Sequence, residues 1–281
     1  MTPSSHGHVE LLSLARSIAL EAGALVLEAR RGVVEVADRK SSSVDVVTQV
    51  DRDAEALIRG RLAEARPHDG FFGEESGGAS GTSGLTWVVD PIDGTVNFLY
   101  GIPHYAVSIA VVEGEADPQH WRALAGVVVN PATGELFTAT SAGGAHLGDR
   151  TLQVNPAVEL SQALVATGFA YAAQTRAEQG AAVARLLPQV RDVRRMGTAS
   201  LDLCAVASGR VDAYFERTLS PWDHAAGALI AAEAGARVSG LPGLRADHRF
   251  LLAAHPQLAV ALERALHEVG AVPVDRTDAS A

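Results

Sequence analysis

The stretch Asp90-Pro91-Ile92-Asp93-Gly94-Thr95 limits what this chain can fold into more than any other. It follows the apolar run Trp87-Val88-Val89, so two carboxylates three residues apart come at the end of what reads as a buried strand. Keeping both ionised there is costly unless cations bind between them. Pro91 locks one backbone angle, which lets Asp90 and Asp93 converge on one point while the Ile92 carbonyl turns towards it. Oxygen donors of that kind suit Mg²⁺ in octahedral coordination at about 2.0–2.1 Å, whereas the spacing lacks the regular acid pattern and closing Glu of a calcium-binding EF-hand. Gly94 lets the backbone approach a ligand closely, and a helical turn opened by Thr95 would aim both amides at a phosphate. A turn whose aspartates bond their own backbone is the other reading of the same residues.

A chain of 281 residues, 47% hydrophobic and 20% charged, can bury a sizeable core in two packed layers or two modest domains. The 23 basic and 33 acidic residues give a formal charge of −10, which opposes non-specific attraction to nucleic acid or anionic membranes. An anionic substrate then needs a local positive site. Cys204 is the only cysteine, which excludes an intrachain disulfide and fits a reducing compartment. With no basic-then-apolar leader and no long apolar run, the expected location is the cytoplasm.

Apolar positions Val9, Leu12, Ile18, Ala22, Leu25 and Val26 predict a long amphipathic helix over 9–31, and Val50, Ala54, Leu57, Ile58 and Leu62 a second over 49–65 with Thr48 as N-cap. Val33-Val34-Glu35-Val36 reads as a strand, Lys40-Ser41-Ser42-Ser43 as a polar loop, and the glycine-rich 77–84 segment as a mobile surface loop. Strands are expected at 105–112, 125–129 and 135–139, the last two joined by a hairpin at Asn130-Pro131. From about residue 155, short strands at 164–167, 211–215 and 250–253 alternate with Ala-rich helices at 175–187, 198–208, 224–235 and 256–268. The halves 1–154 and 155–281 thus read as α+β with antiparallel strands and as α/β.

Asp51, Glu74 and Asp223 also sit at element boundaries. Alone, Asp51 and Asp223 are ordinary acids at helix N-termini, and Glu74 an ordinary loop acid. Their neighbours change the reading. Trp87 to Phe98 resembles the first signature of the inositol monophosphatase family, the Mg²⁺-dependent, lithium-sensitive phosphatases. Trp222-Asp223-His224-Ala225-Ala226-Gly227, followed by Glu233-Ala234-Gly235, resembles the second. Gly73-Glu74-Glu75-Ser76, the Asp45-Val46-Val47-Thr48 segment running into Asp51, and Gly197-Thr198-Ala199 match in the family's order, so the resemblance spans roughly residues 10 to 270.

The resemblance implies an α/β fold, a layered αβαβα sandwich of the sugar phosphatase superfamily with the active site between the halves. It implies that Glu74, Asp90 and the Ile92 carbonyl hold a first Mg²⁺ and that Asp90, Asp93 and Asp223 hold a second, with a third, weaker ion near Glu74. Glu74 and the Thr95 hydroxyl would hold the attacking water, Asp51 would orient Thr95, and Gly94 and Thr95 would bind the phosphate. The alcohol would meet Asp93, Gly197, Ala199, Glu216 and Asp223, with Lys40 as a supporting loop lysine. Inositol 1-phosphate is the expected substrate, with histidinol phosphate, fructose 1,6-bisphosphate and 3′-phosphoadenosine 5′-phosphate as alternatives. A homodimer is the expected assembly, and neither a membrane nor nucleic acid is an expected partner. A regulatory role through RNA or the transcription machinery, as in some bacterial relatives, is the rival of another class.

Some residues stand apart from the pattern. His224 follows Asp223 where the family more often has a small or apolar residue, and a packed or solvent-facing histidine is a better reading than a ligand because Mg²⁺ prefers oxygen. Arg191-Asp192-Val193-Arg194-Arg195 reads as a solvated edge or a subunit contact. No serine lies in a nucleophile-elbow pattern, which argues against a covalent serine hydrolase.

Overall fold

Along the strands of this protein successive side chains enter different cores, which explains why they read as unbroken apolar runs rather than as alternating ones. The computed structural model describes residues 5–32, 36–39 and 46–273. Helix α1 (Ser5–Arg30) precedes an antiparallel pair, β1 (Val36–Arg39) and β2 (Val46–Thr48), and then α2 (Gln49–Ala65). Next come β3 (Gly70–Gly73), β4 (Gly77–Ala79), β5 (Leu85–Asp93) and the short helix α3 (Thr95–Tyr100). The strands β6 (Ala106–Glu113), β7 (Arg122–Asn130), β8 (Glu135–Thr140), β9 (Gly144–Leu147) and β10 (Arg150–Thr151) complete an eight-stranded sheet of order β10-β9-β8-β7-β6-β5-β3-β4.

The later elements are β11 (Leu164–Thr167), α4 (Ala173–Leu186), β12 (Asp192–Arg194), α5 (Ala199–Ala207), β13 (Ala213–Glu216), α6 (Pro221–Glu233), β14 (Arg237–Ser239), β15 (Leu251–Ala254) and α7 (Pro256–Glu268). They form a five-stranded mixed sheet of order β12-β11-β13-β15-β14, parallel at β12-β11-β13 and antiparallel beyond.

Burial alternates between layers. Trp87 and Val89 of β5 pack with Val107 and Ile109 of β6 against Ile18 and Ala22 of α1 and Ile58 of α2. Val88 and Ala110 face the other way, into a core shared with Leu203 of α5, Ala226 and Ile230 of α6, and Tyr214 and Leu251 of the second sheet. Phe215 and Leu252 then face Leu186 of α4 and Leu262 of α7. The result is a five-layer αβαβα sandwich whose central helices touch both sheets. Helix α5 is buried along its whole length, as a middle layer requires, and each large side chain buried completely contributes about 2–3 kcal/mol. Gly126 of β7 lets α6 approach: a Cβ there would lie 3.1 Å from the Ala226 Cα. Among the described residues, no helix is long and apolar enough to cross a membrane.

Several expectations need correcting. The glycine-rich segment begins as β4, whose small residues let Gly78 pair with Phe72 while the Phe72 ring lies over it. Val9 is 62% exposed, because a 3.6-residue repeat through Leu11, Ala15, Ile18 and Ala22 turns it away. The short edge strands β12 and β14 were not expected, and Arg191–Arg195 contains the first of them. Lys40 and most of the expected 33–36 strand lie outside the described residues.

Candidate active site

Asp90 and Asp93 would project from opposite faces of a regular strand, since three residues separate them. The ladder between β5 and β6 prevents this: Asp90 pairs with Ser108 and Asp93 with Ala106, so three steps on one strand match two on the other. This bulge turns both carboxylates to the face of Ser108 and Ala106, towards the central helices. Pro91, which has no N–H to give, occupies the irregular stretch, and the Ile92 amide donates to Asp90 Oδ1 at 3.1 Å. The DPIDGT segment is therefore a bulged strand end feeding a helix rather than a free turn. Its Asp90 side chain does bond local backbone, as the self-bonded alternative required, but both acids also face outward from that contact.

Helix N-termini supply the other acids. Asp223 is the third residue of α6, after Ser220 as N-cap and Pro221 at the first position. Its Oδ2 accepts from the Ser220 amide at 2.6 Å, which anchors the carboxyl while the group remains at the cleft. Asp51 holds the same place in α2: Oδ2 accepts from the Thr48 amide at 2.8 Å and hydroxyl at 2.5 Å, and Oδ1 lies 3.1 Å from the Thr95 hydroxyl. One carboxylate thus caps a helix and reaches a second element. Glu74 follows β3, and its amide donates to the Val89 carbonyl at 3.2 Å.

Oxygens from Asp90, Asp93 and Asp223 lie within 4.8 Å of one another. Burial, then Glu74, Asp93 and Asp223, hold the Asp90 carboxyl well above its ordinary range. Burial raises Asp93 to about 6 against the stabilising Ser200 amide, which donates to Oδ2 at 2.7 Å. Asp223 is raised by burial and by Asp93 and Glu74, and Asp51 is raised to about 6 by burial. No lysine or arginine pairs with Asp90, Asp93 or Asp223 among the described residues. An all-oxygen donor set, crowded and without a compensating Lys or Arg among the described residues, fits a hard divalent ion.

Asp90, Asp93, Asp223 and Glu74 line a cleft of about 460 Å³, together with Ile92, Gly94 and Thr95. Gly197, Ala199 and Glu216 line the same cleft. Burial raises Glu216 to about 7, and the Tyr214 hydroxyl donates to its Oε2 at 2.6 Å. Asp51 stands behind Thr95 instead of lining the cleft. His224 is buried against Trp121, with ring centroids 6.0 Å apart, and burial lowers it to about 4. It is packed, as its chemistry suggested.

Three further residues hold the site together. Glu55 of α2 is buried and accepts from the amides of Glu75 at 2.8 Å and Ser76 at 2.7 Å, fixing the turn that presents Glu74. Its signal was an acid on the α2 stripe formed by Asp51, Ala54, Ile58 and Leu62. The Thr198 hydroxyl donates to the His104 carbonyl at 2.7 Å and ties the Gly197–Ala199 segment to the loop that enters β6. Arg195 lines the cleft, although its run read as a solvated edge.

Gly94 has φ +90°, and a Cβ there would lie 2.3 Å from Thr198 Oγ1. Gly94→Ala is expected to destabilise the protein by about 2–4 kcal/mol, because strain and overpacking act together. Thermal unfolding checks this; an unchanged melting temperature would remove the packing role given to Gly94.

Residues 8–274 match the inositol monophosphatase family. An inositol-1-monophosphatase of Mycobacterium bovis is 46% identical over 85% of this chain and 86% of its own length. A protein of Escherichia coli named Nus factor SuhB is 40% identical over 86% of this chain and 88% of its own. The solved structure of Mycobacterium tuberculosis SuhB has a TM-score of 0.79 and 45% identity, covering 94% of this chain and 98% of that one.

Proposed function

Because the chain belongs to the inositol monophosphatase family, we propose that it hydrolyses a phosphate monoester, myo-inositol 1-phosphate, with Mg²⁺ as cofactor. The observation that carries this reading is the convergence of Asp90, Asp93 and Asp223 within 4.8 Å, in one cleft with Glu216. Asp90, Asp93, Asp223, Glu74 and the Ile92 carbonyl are the donors that would hold Mg²⁺, with two or three ions per site. When bound, the ions supply positive charge to the phosphoryl group and acidity to water.

The protein's own groups divide the remaining work. The Thr95 hydroxyl proton is directed to Asp51 Oδ1 at 3.1 Å or the Ile92 carbonyl at 3.0 Å, so towards the cleft the oxygen presents lone pairs. A water donating one proton to Thr95 and the other to Glu74 keeps its own lone pair for phosphorus. Glu74 is the base that takes a proton as attack proceeds. The amides of Gly94 and Thr95 open α3 without intrahelical acceptors and can donate to phosphate oxygens. The phosphorus–ester oxygen bond breaks as the new bond forms, and a water beside Asp223 protonates the departing alcohol. Glu216, fixed at one oxygen by Tyr214, keeps the other to accept from ring hydroxyls, while Gly197 and Ala199 bring backbone close to the ring. A site built for hydroxyls discriminates strongly against ligands that lack them.

The test is phosphate release from inositol 1-phosphate, histidinol phosphate, fructose 1,6-bisphosphate and phosphoadenosine phosphate with titrated Mg²⁺. Inositol 1-phosphate is expected to rank first among monophosphates in kcat/KM, and release is expected to vanish under chelation. Release that persists in EDTA would sink the metal-dependent reading, and a higher ranking of histidinol phosphate would sink the inositol assignment.

A further inference from the structure

Asp202 is a buried acid that the reaction above does not use. It lies in the first turn of α5, is 1% exposed, and has no hydrogen-bond partner at either carboxyl oxygen among the described residues. Buried polar atoms in folded proteins are nearly always bonded to protein or to ordered water, so two orphaned oxygens on one side chain call for a water.

The neighbours say what that water joins. Asp202 follows Thr198 and Ala199 by one turn and shares their face of α5, and both of those residues line the cleft. Strand β13 packs against α5. Its Tyr214 and Glu216 are two residues apart and point to one side, and Tyr214 enters the core that also holds Leu203 and Val206 of α5. The Tyr214 hydroxyl bonds Glu216 from that side at 2.6 Å, while Gly168 at the end of β11 leaves the space that the Glu216 carboxyl fills, since a Cβ there would collide with it. An ionised carboxylate as deeply buried as Asp202, with no cation bonded to it, is too costly to keep. Burial, and after it Glu216 and Asp93, push the group well above its ordinary range in the same direction. Asp202 is therefore a neutral donor beside a carboxylate that can accept.

We propose that Asp202 is a positioning residue for the substrate's alcohol: through one buried water it donates to the Tyr214–Glu216 pair and holds the Glu216 carboxylate in the orientation that receives ring hydroxyls. It touches neither substrate nor metal, and it makes and breaks no bond in the reaction. Its effect is on selectivity, because a carboxylate held from two sides accepts from a hydroxyl in one fixed direction, whereas an ester without further hydroxyls gains nothing from it. This rests on the hydrolase reading above and on the contact it gives Glu216 with the alcohol.

The experiment measures kcat/KM at saturating Mg²⁺ for inositol 1-phosphate and for phenyl phosphate, whose alcohol has no further hydroxyl, and follows the ratio of the two. Asp202→Leu keeps a similar volume but holds no water, and is expected to lower the ratio about tenfold or more, through a raised KM for inositol 1-phosphate. Asp202→Asn retains a donor and is expected to stay within about threefold of the unmodified ratio. Added to Glu216→Gln, Asp202→Leu is expected to move the ratio by less than about twofold, because the two residues act as a unit. Should the leucine variant not fold, Asp202→Ala is read in the same way. An unchanged ratio in folded Asp202→Leu protein would overturn the proposal and leave the hydrolase standing. An equal fall in the Glu216→Gln background would overturn it as well, since Asp202 would then act by another route, and so would an asparagine variant that behaves like the leucine one. Release from neither ester by the unmodified protein would overturn the hydrolase reading and this inference with it.

Discussion

Asp90→Asn is expected to lower kcat/KM by about a thousandfold or more, roughly 4 kcal/mol of transition-state stabilisation, while raising the melting temperature of the metal-free protein. Asp90 is 1% exposed and central to the acidic group, with Glu74, Asp93 and Asp223 all disfavouring its ionised form. Asparagine keeps the oxygen that accepts from the Ile92 amide and nearly the same volume. What it removes is one negative charge from the place where a divalent cation needs it. Without metal that charge is a burden, so its loss should raise the midpoint by about 2–4 °C for each kcal/mol gained. Phosphate release with titrated Mg²⁺ and calorimetry in EDTA measure the two halves. Turnover within tenfold of the unmodified protein at saturating Mg²⁺ would remove Asp90 from the ligand set. A lower midpoint in EDTA would make it a structural anchor instead.

The second large effect is on stability against pH. Asp51 and Asp93 are raised from 3.8 to about 6, and Glu216 from 4.5 to about 7, in the metal-free protein. Each raised carboxyl binds its proton more tightly folded than unfolded, so the folded state holds more protons between about pH 4 and 7. Stability from these groups is therefore fully present below about pH 4 and is lost as pH rises through 6 to 7. A shift of about two units corresponds to roughly 3 kcal/mol per group, with coupling making the sum smaller than the parts. Cation binding reverses the sign at Asp93, because ligation needs the deprotonated form. The midpoint in EDTA is expected to fall from pH 5 to 8, and the gap between Mg²⁺ and EDTA curves to widen over the same range. Parallel curves would show that Mg²⁺ does not bind the titrating group.

Much of this protein was legible because the relevant signals are local. Helix α2 spans 49–65 as its apolar spacing required, and β11 spans 164–167 as its short apolar run required. Asp90, Asp93, Gly94 and Thr95 lie within one element junction, so their joint placement needed only one strand and the turn after it. Edge strands were harder to see. Arg237–Ser239 has no apolar run of its own and is a strand because β15 offers it a partner. Asp192–Arg194 is charged at both ends, as suits an exposed edge, and so resembles a loop.

The site divides along the same line. Composition and motif order, read through the family they resemble, named Glu74, Asp90, Asp93 and Asp223 and the layered architecture. They could not supply the β5 bulge that turns Asp90 and Asp93 to one face, because a bulge is a mismatch between two strands. The resemblance did name Asp51 as the partner of Thr95, but the contact itself is made only by the fold, which brings Thr95, 44 residues away in sequence, to 3.1 Å in space. Arg195 shows the difference most plainly: among its neighbours it is one more surface charge, and only the meeting of β12's end with the Gly94 junction puts it in the lining of an acidic cleft. Chain-local chemistry determined which residues could act, and long-range packing decided which of them share a cavity, since proximity across layers is set by how the sheets and central helices close on one another.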